Sequence, residues 1–153
     1  MKSPPIRVLI ADGDPLVCRA LVRLLHDCVD VEVIATAKDE DEVLELAGQL
    51  HPAVALVDAR AGRMGMSTAW VDGMKATQSL CRQLPATRVI ILGIYATMRE
   101  QALSAGACRF LLKDCSRDML VEAIRLAASG QCETNGIWAK HTADAQAELE
   151  GAQ

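Results

Sequence analysis

The chain alternates apolar runs of strand length with segments whose apolar residues recur at helical spacing, and it does so five times. Ile6–Ala11, Val31–Thr36, Ala53–Val57, Val89–Leu92 and Ala107–Leu112 read as strands. Between and after them, Leu16, Ala20, Leu21, Leu24 and Leu25 give one helical face, and Val43, Leu46, Ala47 and Leu50 a second. Further helices are expected from about Gly73 to Leu84, over Thr97–Ala105, and after Ser116 on the face Met119, Leu120, Ala123, Ile124 and Ala127. The punctuation agrees. Asp14 suits an N-cap with Pro15 at the first helical position, Asp39 and Glu42 have capping-box spacing, and Ser116 suits a third cap. His51-Pro52, Pro85, Gly106 and Gly130 supply stops. Crossovers of this length between strands force parallel pairing, so the order implies an α/β sheet covered by helices on both faces. A length of 153 residues matches one domain. Gln131–Gln153 differs in character. Its Ala- and Glu-rich end, Thr142–Glu150, has little apolar face, so 130–153 reads as a tail or linker stub behind a domain over 5–129.

Composition narrows the function. Hydrophobic residues make up 51% and charged residues 24%, enough to bury a core. Aromatics are only 3%, so Val, Ile, Leu and Ala must build it. The net charge of −4 argues against this segment itself gripping a nucleic-acid backbone. Met1 to Arg7 lacks the apolar core of a signal peptide and no run approaches a membrane span, so a cytoplasmic location is expected. The six cysteines, Cys18, Cys28, Cys81, Cys108, Cys115 and Cys132, contain no CxxC, and His26, His51 and His141 show no ligand spacing. They are expected to be buried or half-buried free thiols, not disulfides or zinc ligands.

Three strands end in a charged residue: Asp12, Asp58 and Lys113, with Asp14 just past the first. Singly, each has a plain reading. A strand-end Asp is usually a turn or cap residue, and Lys113 alone is a solvated lysine. Ligands of open parallel sheets, however, bind outside the carboxyl ends of the strands. If strands one, three and five lie close, two or three carboxylates and one ammonium converge there. Hard oxygen ligands with open water positions suit Mg²⁺. A carboxylate beside a metal and a lysine is a plausible phosphoryl acceptor, because both cations offset the charge of the transferring group.

The segments IRVLIADGDP over 6–15, VALVD over 54–58 and GACRFLLKD over 106–114 resemble the receiver domain of bacterial response regulators. The FLLKD segment is similar to the subgroup that usually carries a C-terminal helix-turn-helix DNA-binding domain. The resemblance implies a flavodoxin-like (β/α)5 doubly wound sheet of strand order 2-1-3-4-5. It also implies a histidine kinase partner, and DNA contact only through an output domain beyond this chain. Carried over by residue, Asp58 matches the phosphoacceptor and Asp12 the first of the acidic pair that holds Mg²⁺. Arg60 matches the position offering a backbone carbonyl to the metal. Lys113 matches the lysine that contacts the phosphoryl group, and Phe110 the aromatic switch position.

The departures from that pattern fall at the site. The second acid of the pair is Gly13, and Asp14, one place further on, is the candidate metal ligand in its stead. The hydroxyl residue ending strand four, which hydrogen-bonds the phosphoryl group and draws the aromatic inward, is Gly93. The loop after Asp58 is longer than the family pattern and lacks its Pro, with Gly62 near that place, and the segment from Gly93 to Lys113 is shorter. Three readings follow. One is a phosphorylatable receiver. Another is a receiver-like interaction module independent of phosphate, with a homodimer through the last helices as a candidate assembly and Trp70 as a candidate partner anchor. A third is a phosphohydrolase, since Asp12-Gly13-Asp14 is similar to the DxD opening of haloacid-dehalogenase-type enzymes, although Leu16 stands where that motif expects Thr or Val. The reading taken is regulation, not turnover.

Overall fold

Hydrophobic strands with no polar face must be covered on both sides, and the computed structural model, which describes residues 3–60 and 72–133, shows how. Five parallel strands, β1 (Ile6–Ala11), β2 (Val31–Ala37), β3 (Val54–Asp58), β4 (Arg88–Gly93) and β5 (Arg109–Leu112), form one sheet of order β2-β1-β3-β4-β5. Five helices connect and follow them: α1 (Pro15–Leu25), α2 (Glu40–Leu50), α3 (Gly73–Gln83), α4 (Arg99–Ala105), entered by a 3-10 turn over Ala96–Met98, and α5 (Arg117–Ala128). This is the flavodoxin-like arrangement. Trp70, Gly62 and the Thr142–Glu150 segment lie outside the described residues.

Alternation along each strand divides the core into two layers. Leu9, Ala55, Val57, Val89 and Ile91 face one way, against Val43 and Ala47 of α2, Leu80 of α3 and Ala102 of α4. Val8, Ile10, Val54, Leu56 and Ile90 face the other, against Leu25 of α1 and Leu120 and Ile124 of α5. The expected caps form. The side chains of Asp14, Asp39 and Ser116 accept hydrogen bonds from the N–H groups of Leu16, Glu42 and Met119. Gly106 ends α4 at φ 112°, a left-handed conformation that residues with a Cβ rarely adopt.

Two helical faces differ from expectation. Leu16 is 68% exposed and Met119 55% exposed. The buried positions of α1 are Cys18 and Leu25, and Val121 takes the core place expected for Met119. Both misplaced residues sit in the first turn of their helix, ahead of its buried positions.

The cysteine expectation is corrected in part. Cys18, Cys28, Cys81 and Cys115 are free thiols, but Cys108 and Cys132 are joined by a disulfide, their Cα atoms 4.4 Å apart. The pairing brings the start of β5 together with the chain after α5, which no spacing rule in sequence reveals. No helix among the described residues is long and apolar enough to cross a membrane.

Candidate functional site

Strand order decides which chain ends meet. β1 pairs with β3, Ala11 opposite Val57, so Asp12 and Asp58 leave the sheet side by side. β3 pairs with β4, which pairs in turn with β5, Gly93 opposite Leu112. Lys113 therefore emerges two strands away from Asp58, and only a long side chain bridges that gap. Its Nζ lies 3.0 Å from Asp12 Oδ2 and 3.0 Å from Asp58 Oδ1. The two carboxylate side chains are each 3% exposed and the lysine side chain 18%. Three residues predicted from strand ends are thus one cluster, in which the ammonium offsets two buried negative charges.

The two acids are held differently. Asp12 Oδ1 accepts the N–H of Asp14 at 2.9 Å. Burial pushes the Asp12 carboxyl up from its ordinary value. The Asp14 N–H and Lys113 oppose that, and the nearby Asp58 charge adds to it. Asp58 Oδ1 accepts the N–H of Arg60 at 3.2 Å as well as the Lys113 contact. Asp58 Oδ2 is buried and accepts no hydrogen bond, with Arg60 Nε 3.4 Å away. One oxygen is held by hydrogen-bond donors, and the other accepts no hydrogen bond and has the Arg60 guanidinium contact.

Asp14, predicted as a metal ligand, is placed otherwise. Its Oδ1 accepts the Leu16 N–H and caps α1, and no ion pair among the described residues joins it to Lys113. Arg60, predicted through its carbonyl, also brings its guanidinium to Asp58. For Mg²⁺, which takes one or two carboxylates and retains water, Asp12 and Asp58 fit: both are buried hard oxygen donors, and Asp58 Oδ2 is unsatisfied. Gly13 adds no donor, so the set is one carboxylate smaller than the resemblance implies.

The predicted switch pair is in contact. Phe110 is 1% exposed. A Cβ built on Gly93 would lie 2.8 Å from Phe110 Cε2, 2.9 Å from Cζ and 3.1 Å from Met98 Sδ. The ring already occupies the volume that a side chain at position 93 would need. Gly93→Ala is therefore expected to destabilise the fold by about 1–2 kcal/mol through overpacking, read as a lower urea midpoint at unchanged slope.

A contributor that sequence reasoning missed is Gly73, the first residue of α3. A Cβ there would overlap the Asp58 carbonyl oxygen, so the helix packs directly on the backbone of the acid. The Asp72-Gly73 dipeptide was the available signal. Asp72 caps α3 through the Lys75 N–H, but nothing local shows that Gly73 faces Asp58.

The family model of the response regulator receiver domain matches residues 8–125. The chain is 32% identical over 133 residues to an uncharacterised transcriptional regulatory protein, YxjL, of Bacillus subtilis, covering 86% of this chain and 58% of that protein. It is 34% identical to the transcriptional regulatory protein LiaR of the same organism, covering 82% of this chain and 57% of that protein. It thus spans somewhat over half the length of these curated relatives. Among solved structures, the signal receiver domain of the putative response regulator NarL from Mycobacterium tuberculosis superposes with a TM-score of 0.72 at 33% identity, covering 84% of this chain and 99% of that one.

Proposed function

The chain belongs to the response regulator receiver domain family of two-component signalling, and on that premise we propose that it accepts a phosphoryl group on Asp58. The observation that carries this reading is the asymmetry of the Asp58 carboxylate. Oδ1 is held by Lys113 and the Arg60 N–H, while Oδ2 is buried beside the cluster with no hydrogen bond. In the transfer, Oδ2 forms the new bond to phosphorus as the donor's bond to phosphorus breaks. Lys113, already within 3.0 Å of both carboxylates, stays in reach of the oxygens of the transferred group and offsets their charge. Asp12 and Asp58 would hold Mg²⁺, with the Arg60 carbonyl as a further candidate ligand; bound there, the ion supplies electrostatic neutralisation of the phosphoryl oxygens.

In the proposed cell biology, a histidine kinase supplies the phosphoryl group in the cytoplasm. Residues 5–129 receive it, and 130–153 lead as a tail or linker toward an output domain that contacts DNA, with homodimerisation as a candidate step. The role is regulation of transcription, and self-phosphorylation from a small donor would be slow. Phosphorylation adds about −1.5 to −2 charges at pH 7. Gly93 presents no hydroxyl to follow them and Phe110 already lies inward, so the added charge falls first on the Asp12–Lys113–Asp58 cluster.

The test is intact mass after incubation with acetyl phosphate and Mg²⁺. A phosphoryl adduct is expected on the wild type and not on Asp58→Asn. Folded wild-type protein that shows no adduct over hours overturns the proposal for this donor and favours a phosphate-independent interaction module.

A further inference from the structure

A second set of contacts sits at the far edge of the sheet, away from the acid–lysine cluster. β5 is an edge strand, so one side of its backbone has no strand partner. Residues 131–133, just after α5, return to that strand. The Glu133 N–H donates to the Cys108 carbonyl at 2.7 Å, and Arg109 Nη1 donates to the Gln131 carbonyl at 3.0 Å. The Phe110 N–H donates to Glu133 Oε2 at 3.2 Å. The same carboxylate oxygen pairs with Arg99 Nη1 at 2.7 Å, and the Arg99 guanidinium lies 5.7 Å from the centroid of the Phe110 ring. The Cys108–Cys132 disulfide ties this short segment to the strand.

The arrangement combines a covalent anchor with a function for what it anchors. Three residues at the end of a helix gain little from a few hydrogen bonds set against the backbone entropy lost in ordering them. The disulfide removes most of that freedom in advance. What it then holds in place is Glu133, the group that satisfies the Phe110 amide and steadies Arg99 over the ring. The two sulfurs are unequally placed: Cys108 is buried, whereas Cys132 is exposed. A cavity of about 260 Å³ opens beside them, lined in part by Cys81, Gly106, Cys108, Cys132 and Glu133, which gives a small thiol access.

We propose that Cys108–Cys132 is a thiol-reversible clasp. When oxidised it fastens residues 131–133 over the β5 edge and holds Glu133 against the Phe110 amide and Arg99. When reduced it releases the segment and uncovers that edge. The reductant is a dithiol. One thiolate attacks the exposed Cys132 sulfur, the S–S bond breaks, and Cys108 leaves as a thiolate that takes up a proton. The second thiol then attacks the mixed disulfide, which frees Cys132 as a thiol and leaves the reductant as its own disulfide. Two electrons pass from the dithiol to the protein disulfide. None of this involves Asp58, so the clasp and the phosphoryl reading stand or fall separately.

The full chain is equilibrated at a series of oxidised to reduced dithiothreitol ratios, quenched with N-ethylmaleimide and analysed by peptide mass, with amide hydrogen exchange followed over 109–112. The linked Cys108–Cys132 peptide is expected to give way to two alkylated thiols as the couple becomes reducing. Exchange of the Phe110 amide should then rise about tenfold or more, as for a segment that opens locally. Cys132→Ser, at an exposed position that spares the core, should show the fast exchange at every ratio and no response to the couple. Failure to find the linked peptide at any ratio overturns the clasp. So does its opening with no change in exchange at 109–112.

Discussion

Lys113→Met is expected to cost about 3 kcal/mol of stability at pH 7, the lower end of the range for removing one partner from a buried charge cluster. Met preserves the length and apolar volume of the lysine stem, so the loss reports the ammonium and not a cavity. Without it, Asp12 and Asp58, both nearly inaccessible, face each other with one cation fewer, while Arg60 Nε stays 3.4 Å from Asp58 Oδ2. Burial already raises the Asp12 carboxyl, and losing the ammonium raises it further. The sign of the pH dependence follows. A carboxyl whose folded value lies above its unfolded value binds its proton more readily when folded, so stability falls as pH rises from the unfolded value through the folded one. The gap between variant and wild type should therefore be widest at neutral pH and shrink as pH falls toward about 4. Urea melts at several pH values measure it. A pH-independent gap would mean that Lys113 acts through packing.

Gly73→Ala should destabilise by about 3 kcal/mol, at the upper end for overpacking. The substitution normally favours a helix, so its intrinsic effect and its tertiary effect oppose each other. The tertiary effect should win because the added carbon meets backbone. A side chain can turn aside, but the Asp58 carbonyl belongs to a strand paired on both sides. Relief requires α3 to lift from β3, which moves the acid itself. Two readouts are expected together: a lower urea midpoint, and reduced phosphoryl adduct on whatever protein remains folded. Loss of stability with an unchanged adduct rate would show that α3 can shift without moving Asp58. An unchanged midpoint would contradict the close approach.

The position of these two residues shows what could be read locally. Lys113 was visible as the charged end of an apolar run. Gly73 was visible as the start of an expected helix, but the atom it approaches belongs to β3, a different element, and no local signal shows that approach. Arg60 was read for its backbone, whereas its guanidinium also joins Asp58. Asp14 was read as both cap and ligand, and the cap is what forms. Met119 and Leu16 fit a helical stripe in sequence yet are exposed.

By itself the sequence determined the elements: five apolar runs, their helices, the caps at Asp14, Asp39 and Ser116, and the charged residues at three strand ends. Those signals are local, carried by side-chain period and by hydrogen bonds within a few residues. The tertiary structure decided which of them meet. Setting β1 beside β3, with β4 between β3 and β5, is a property of crossovers and layer packing, and it brings Asp12, Asp58 and Lys113 within 3.0 Å contacts. The same long-range packing seats Phe110 over Gly93 and joins Cys108 to Cys132. No local rule holds that information, because each contact links residues whose proximity exists only once the sheet is assembled.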